Sequence, residues 1–277
     1  MKLNTSSKEE KNYVEFCDTL LSNWKENKIT LEDNYGFDLN ALPEPYLTFG
    51  NGDSNVCFLT TNPGQVQDFQ KRNSNFSTDG ESYTNLSKRL PKRVDPITNK
   101  SYEGQERVIN MKKTSNLLFP ESKGFSQFEI SPFHSKDWKI DIKRKFAKNV
   151  LKEENNLHTQ YIHKLTSILG DKNWICIQGG APLLNRKDNS IDNLTEKELL
   201  SFNGNAIWRR LISKILGVKI EDWKLIVFGY GPSGIASQGA WYYKKDNVFK
   251  VILFTMGGNK MPKPEKMTKL FEILKSN

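Results

Sequence analysis

Long apolar runs are missing from this sequence. None approaches the roughly 20 residues that span a bilayer, so no membrane helix is expected. Cysteine and histidine are scarce, three of each in 277 residues. Cys17, Cys57 and Cys176 lie far apart in apolar stretches. That spacing excludes a disulfide framework and a structural zinc site, and it points to buried thiols of a reducing compartment. No metal and no cofactor are expected. The polar stretch 1–12 has no apolar h-region, so the sequence predicts no secretory signal and a cytoplasmic location. Walker A spacing is absent, and no Ser-His-Asp set stands out.

What is present is the composition of a folded chain, 36% hydrophobic and 26% charged, with a formal net charge of +9. The length suits one domain over 1–277 with a sizeable core. The positive charge is clustered. Leu86 to Lys113 holds eight Lys and Arg, Lys92 and Arg93 among them, against three acids. Lys136 to Lys152 holds seven against two. Aromatic residues interleave with both clusters, a pattern that suits phosphate contacts and base stacking, so the expected partner is nucleic acid. A solvated lysine-rich surface explains the charge equally well.

Ser6-Ser7-Lys8-Glu9-Glu10 reads as a capping box that opens an amphipathic helix. Apolar β-rich runs predict strands at 55–61, 125–133, 174–177, 224–228 and 248–255. Helical spacing predicts helices over 141–169, in two pieces, over 195–216 and over 264–274. Between Gln65 and Gly124 the chain reads as a basic, loop-rich excursion holding short helices. Alternating strands and helices predict an α/β fold with a mostly parallel central sheet, covered on both faces as a three-layer sandwich. In such folds ligands bind at the carboxyl ends of the strands. The loops to read first are therefore Thr60 to Gln65, Ser131 to Ser135, Gln178 to Pro182, Gly229 to Gly234 and Thr255 to Lys260.

A buried strand that ends in Asn62-Pro63-Gly64 resembles the first active-site motif of the uracil-DNA glycosylase superfamily. It is similar to the mismatch-specific uracil and thymine glycosylases, although Thr60-Thr61 departs from their preceding pair. The resemblance implies a uracil-DNA glycosylase-like fold and a monofunctional glycosylase that leaves an abasic site. It implies that Asn62 aims water at C1′ of the sugar, with Thr61, Pro63, Gly64, Phe76 and His134 around the extruded base. Phe69, Phe76 and Tyr83 are the candidates for stacking on that base. Uracil-selective relatives carry a tyrosine that blocks the pyrimidine 5-position. Gly64 stands in its place here, which implies a pocket open to C5-modified cytosine. Size, charge and motif are also similar to those of bacterial anti-phage glycosylases, which excise glucosylated hydroxymethylcytosine from phage DNA. The implied partner is thus phage DNA with modified bases, bound by a monomer.

Two loops compete for the second motif and its DNA contact. Gly231-Pro232-Ser233 matches better in letters, and Gly257-Gly258-Asn259-Lys260 matches better in position. No clear buried lysine nucleophile is visible, which favours a water mechanism over a Schiff base. Rival readings are a uracil or thymine mismatch repair glycosylase and a non-catalytic nucleic-acid-binding protein. A nicotinamide enzyme is a third, because Gly229-x-Gly231-x-x-Gly234 spells the dinucleotide fingerprint. Too few residues follow Gly234 for the usual second half of that fold.

Overall fold

The computed structural model describes residues 7–31, 35–52, 55–61, 80–95, 99–135, 140–152, 155–170, 172–179, 205–231, 236–255 and 261–276. The chain divides into two compact units, Met1–Trp138 with Asn155–Ile168, and Lys139–Glu154 with Leu169–Asn277. It passes between them three times, with no linker-like composition at any crossing.

The first unit opens with α1 (Lys8–Lys25). The Ser7 hydroxyl accepts from the Glu10 backbone N–H at 3.1 Å, so the hydroxyl half of the expected capping box is formed. Then come β1 (Phe37–Asp38), β2 (Tyr46–Gly50), β3 (Val56–Thr60), α2 (Tyr83–Arg89), β4 (Val94–Asp95) and β5 (Lys100–Ser101). They are followed by α3 (Glu106–Leu118), β6 (Gly124–Glu129) and β7 (His134–Ser135). Helix α4 (Ile140–Leu151) belongs to the second unit, and α5 (Leu157–Ser167) returns to the first. The two helical pieces expected over 141–169 are thus present.

In the first unit β6 is central, antiparallel to β2 and parallel to β3. Its core is aromatic. Tyr13 of α1, Tyr46 of β2, Phe128 of β6 and Tyr161 of α5 pack with ring centroids 5.8 to 6.2 Å apart. Each fully buried large side chain contributes roughly 1.5–3 kcal/mol. Burial pushes the Tyr13 and Tyr161 phenols well above their ordinary pKa, so both stay neutral hydrogen-bonding groups.

The second unit continues with β8 (Asn173–Gly179), α6 (Asn205–Leu216), β9 (Lys224–Tyr230), β10 (Ala236–Lys245), β11 (Val248–Thr255) and α7 (Thr268–Lys275). Strand β8 is parallel to β11, whereas β11 with β10 and β10 with β9 are antiparallel. The architecture is α/β, but the expectation of a mostly parallel sheet is corrected: the pairing is mixed in both units. The reason lies in two antiparallel strands that the sequence pattern hides. Strand β2 is short. Strand β10 reads Ala-Ser-Gln-Gly-Ala before its aromatics, too polar and too small to resemble a strand. It is held by the β10–β11 hairpin, where Asp246 takes a φ of 52° between the paired Lys245 and Val248.

Gly239 of β10 lies where a Cβ would come within 2.5 Å of both the Ile226 carbonyl and the Phe254 ring. Gly239→Ala is therefore expected to destabilise the second unit by about 1–3 kcal/mol. A thermal melt unchanged from wild type would contradict this packing.

Candidate active site at the carboxyl end of β3 and β6

Three chain segments meet where β3 and β6 end. Thr60 is the register partner of Glu129. Beyond them the pairing continues, since Ile130 N–H donates to the Thr60 carbonyl at 2.8 Å and Ser131 N–H to the Thr61 carbonyl at 3.0 Å. The third segment is Glu44-Pro45. Glu129 N–H donates to the Pro45 carbonyl at 3.0 Å, and Glu44 N–H to the Pro132 carbonyl at 2.8 Å. The Tyr161 hydroxyl lies 2.7 Å from the Glu129 carbonyl and 3.1 Å from that of Pro45. It lies 3.2 Å from the Tyr13 hydroxyl. The backbone from which Asn62 departs is thus tightly held as far as Thr61, which is 2% exposed.

The side chains at this strand end are polar although the strands are buried. All five residues of β3 and the last five of β6 are buried. Gln127 Nε2 lies 2.6 Å from Glu129 Oε1 and 3.1 Å from both Thr60 Oγ1 and the Tyr102 hydroxyl. The Arg107 guanidinium donates to that same hydroxyl. Burial pushes the Glu129 carboxyl up to about 7, with the positive charge of Arg107 pulling against it. Among the described residues Glu129 Oε2 has no hydrogen-bond partner. A buried carboxyl that titrates near neutrality is equipped to exchange a proton.

Beside it lies a second carboxylate. Glu44 Oε1 is 3.5 Å from His134 Nε2 and 3.6 Å from Arg93 Nη2. Burial raises the Glu44 pKa, but the charges of His134 and Arg93 outweigh it and hold the carboxyl below its ordinary value. Two buried carboxyls with pKa values pushed in opposite directions are a recurrent arrangement of acid–base sites.

Of the residues expected from sequence, Thr61 and His134 lie here and Arg93 joins them through Glu44. Asn62, Pro63, Gly64, Phe69 and Phe76 lie outside the described residues. Tyr83 is corrected from stacking candidate to core: it is fully buried and its hydroxyl donates to the Tyr46 carbonyl at 3.1 Å. Lys92 is exposed. In the second basic cluster Lys143 is also corrected. It is 7% exposed, with Nζ 5.6 Å from the Trp208 ring centroid, and burial lowers its pKa to about 8. A buried lysine with a depressed pKa therefore exists, contrary to expectation.

Gly231 is half-buried after β9, while Pro232, Ser233, Gly257, Gly258, Asn259 and Lys260 lie outside the described residues. The glycine fingerprint leads from one strand into an antiparallel one, since Gly229 is within β9 and pairs with Gln238 of β10. A dinucleotide site needs a helix there to receive the pyrophosphate, so this context does not suit a nicotinamide cofactor. Comparison of the chain with known protein families, with curated proteins and with solved structures finds no match.

Sequence reasoning missed Glu129, Gln127, Tyr102, Arg107 and Glu44. A signal was available in Gln127 and Glu129, two large polar residues on one face of a strand whose phenylalanines mark it as buried. Because the folded pKa of Glu129 is raised, its contribution to stability is fully present below about pH 4.5 and is lost as pH rises through 7. Relative to Glu129→Gln, the wild type should lose about 2 kcal/mol between pH 5 and pH 8. Parallel denaturation curves for the two proteins across that range would contradict the shift.

Proposed function

We propose that this chain is a DNA glycosylase that hydrolyses the N-glycosidic bond of a C5-modified cytosine, leaving an abasic site. The reading is carried by one observation: Thr60-Thr61, which lead the chain into Asn62-Pro63-Gly64, are paired with the strand that ends in the buried Glu129. Breaking the bond builds positive charge on the sugar, and water must be held and deprotonated as it attacks. Asn62 is neutral, so it orients the water but is a poor base. Glu129, about half ionised near neutral pH, takes the proton. The water oxygen bonds to C1′, the C1′–N1 bond breaks, and its electron pair leaves with the base, which is protonated from solvent.

Gly64 in place of a blocking tyrosine supports a substrate carrying a C5 substituent. Glucosylated cytosine in phage DNA is the substrate class, and anti-phage defence the setting. Lys92, together with Gly257, Gly258, Asn259 and Lys260 after β11, is assigned to DNA contact.

The test is incubation with glucosylated phage DNA, uracil-containing DNA and plain DNA, followed by alkaline cleavage of abasic sites. Wild type should cleave the first, and Asn62→Ala should lower single-turnover excision by roughly 10²-fold. Wild-type rate should rise with pH through about 7, and Glu129→Gln should lose that rise. Excision of uracil alone would overturn the substrate class. DNA binding with no excision would favour the non-catalytic reading. A borohydride-trapped adduct would overturn the water mechanism.

A further inference from the structure

At the opposite end of β6 lies a cleft of about 840 Å³. We propose that it binds a free nucleoside polyphosphate. The cleft opens at the start of β6, while Lys92, Glu103 and Val108 of its lining are sequence neighbours of Arg93, Tyr102 and Arg107 of the candidate active site. Gly124 and Phe125, which begin β6, line the cleft, whereas Glu129 ends the strand, roughly 17 Å away at about 3.3 Å per residue.

The charge of the cleft selects an anion. Lys92, Lys112, Lys113 and Lys123 line it against a single acid, Glu103. None of the four lysines forms an ion pair among the described residues. Four ammonium groups around one concavity raise its potential, and a ligand carrying three or four negative charges relieves that repulsion. Lys112 and Lys113 come from one turn of α3, Lys92 follows α2, and Lys123 immediately precedes β6. The positive charges therefore ring a cavity, which suits a compact polyphosphate better than a long strand.

The apolar part selects a base. Val108 and Ile109 on α3 form one wall, and Ile109, 42% exposed, is open to the face of an aromatic ligand. The Phe49 and Phe125 rings, stacked at 4.5 Å with an interplanar angle of 17°, are buried beneath the cleft and give it an apolar underside. A volume of this size lies within the roughly 300–1,000 Å³ of small-molecule sites. The inference does not rest on the glycosylase reading.

Equilibrium titration of the full chain with adenosine triphosphate and guanosine triphosphate tests it, with inorganic triphosphate, adenosine and a single-stranded oligonucleotide as further probes. One of the two nucleotides should bind at least tenfold tighter than inorganic triphosphate. The double substitution Lys112→Ala/Lys113→Ala should weaken it at least tenfold while leaving the melting curve unchanged. Ile109→Ala should weaken the nucleotide but not inorganic triphosphate. No nucleotide binding, binding equal to that of inorganic triphosphate, or binding indifferent to the lysines would overturn the proposal. Oligonucleotide binding that needs the lysines, without nucleotide binding, would reassign the cleft to a DNA strand.

Discussion

Glu129 is a carboxyl placed where water is excluded, and such a group must be neutral, paired or hydrogen-bonded to persist. The structure meets this demand only in part. Gln127 holds one oxygen, Arg107 supplies a positive charge through Tyr102, and the other oxygen is left without a partner among the described residues. The backbone beneath is held far more completely. The carbonyls of Pro45, Thr60 and Thr61 accept from the N–H groups of Glu129, Ile130 and Ser131, and the Tyr161 hydroxyl reaches the Glu129 carbonyl. A rigid backbone beneath an incompletely satisfied carboxyl is how proteins hold strain at a working site, at the cost of stability.

Central strand β6 organises the first unit in two directions. Sideways, it takes β2 antiparallel and β3 parallel, which aligns the ends of β3 and β6. Lengthwise, it separates two polar environments: a buried acid–base cluster at its carboxyl end and a lysine-lined cleft at its amino end. The buried aromatic cluster of Tyr13, Tyr46, Phe128 and Tyr161 packs on one face of β6, and Glu129 lies on the other, beside Gln127 and Tyr102, where burial shifts it.

Much of this fold was legible in periodicity. The Ser7 cap, the paired helices α4 and α5, and strands β3, β8, β9 and β11 all follow from local apolar patterns or capping chemistry. The antiparallel members did not, because a strand such as β10 owes its place to its hairpin and its neighbours rather than to its own residues. The site was legible by location more than by membership. The carboxyl-end loops lead to the buried polar cluster, and His134, Thr61 and Arg93 are among the residues the sequence picks out. Glu129 and Glu44 were not, since a carboxylate in a sequence looks solvated until tertiary packing removes the water. Lys143 illustrates the same blindness, reading as one more surface charge in a basic run and lying instead against Trp208.

The account depends on Glu129 holding its proton near neutrality, and that is open to direct observation. Carbon-13 NMR of protein labelled at glutamate side-chain carboxyls, assigned with Glu129→Gln and titrated from pH 4 to 9, reads its ionisation without reference to any substrate. The account predicts one carboxyl resonance, absent from the variant, that titrates at about 7. A Glu129 resonance that titrates at about 4.3, with the solvent-exposed glutamates, would contradict it.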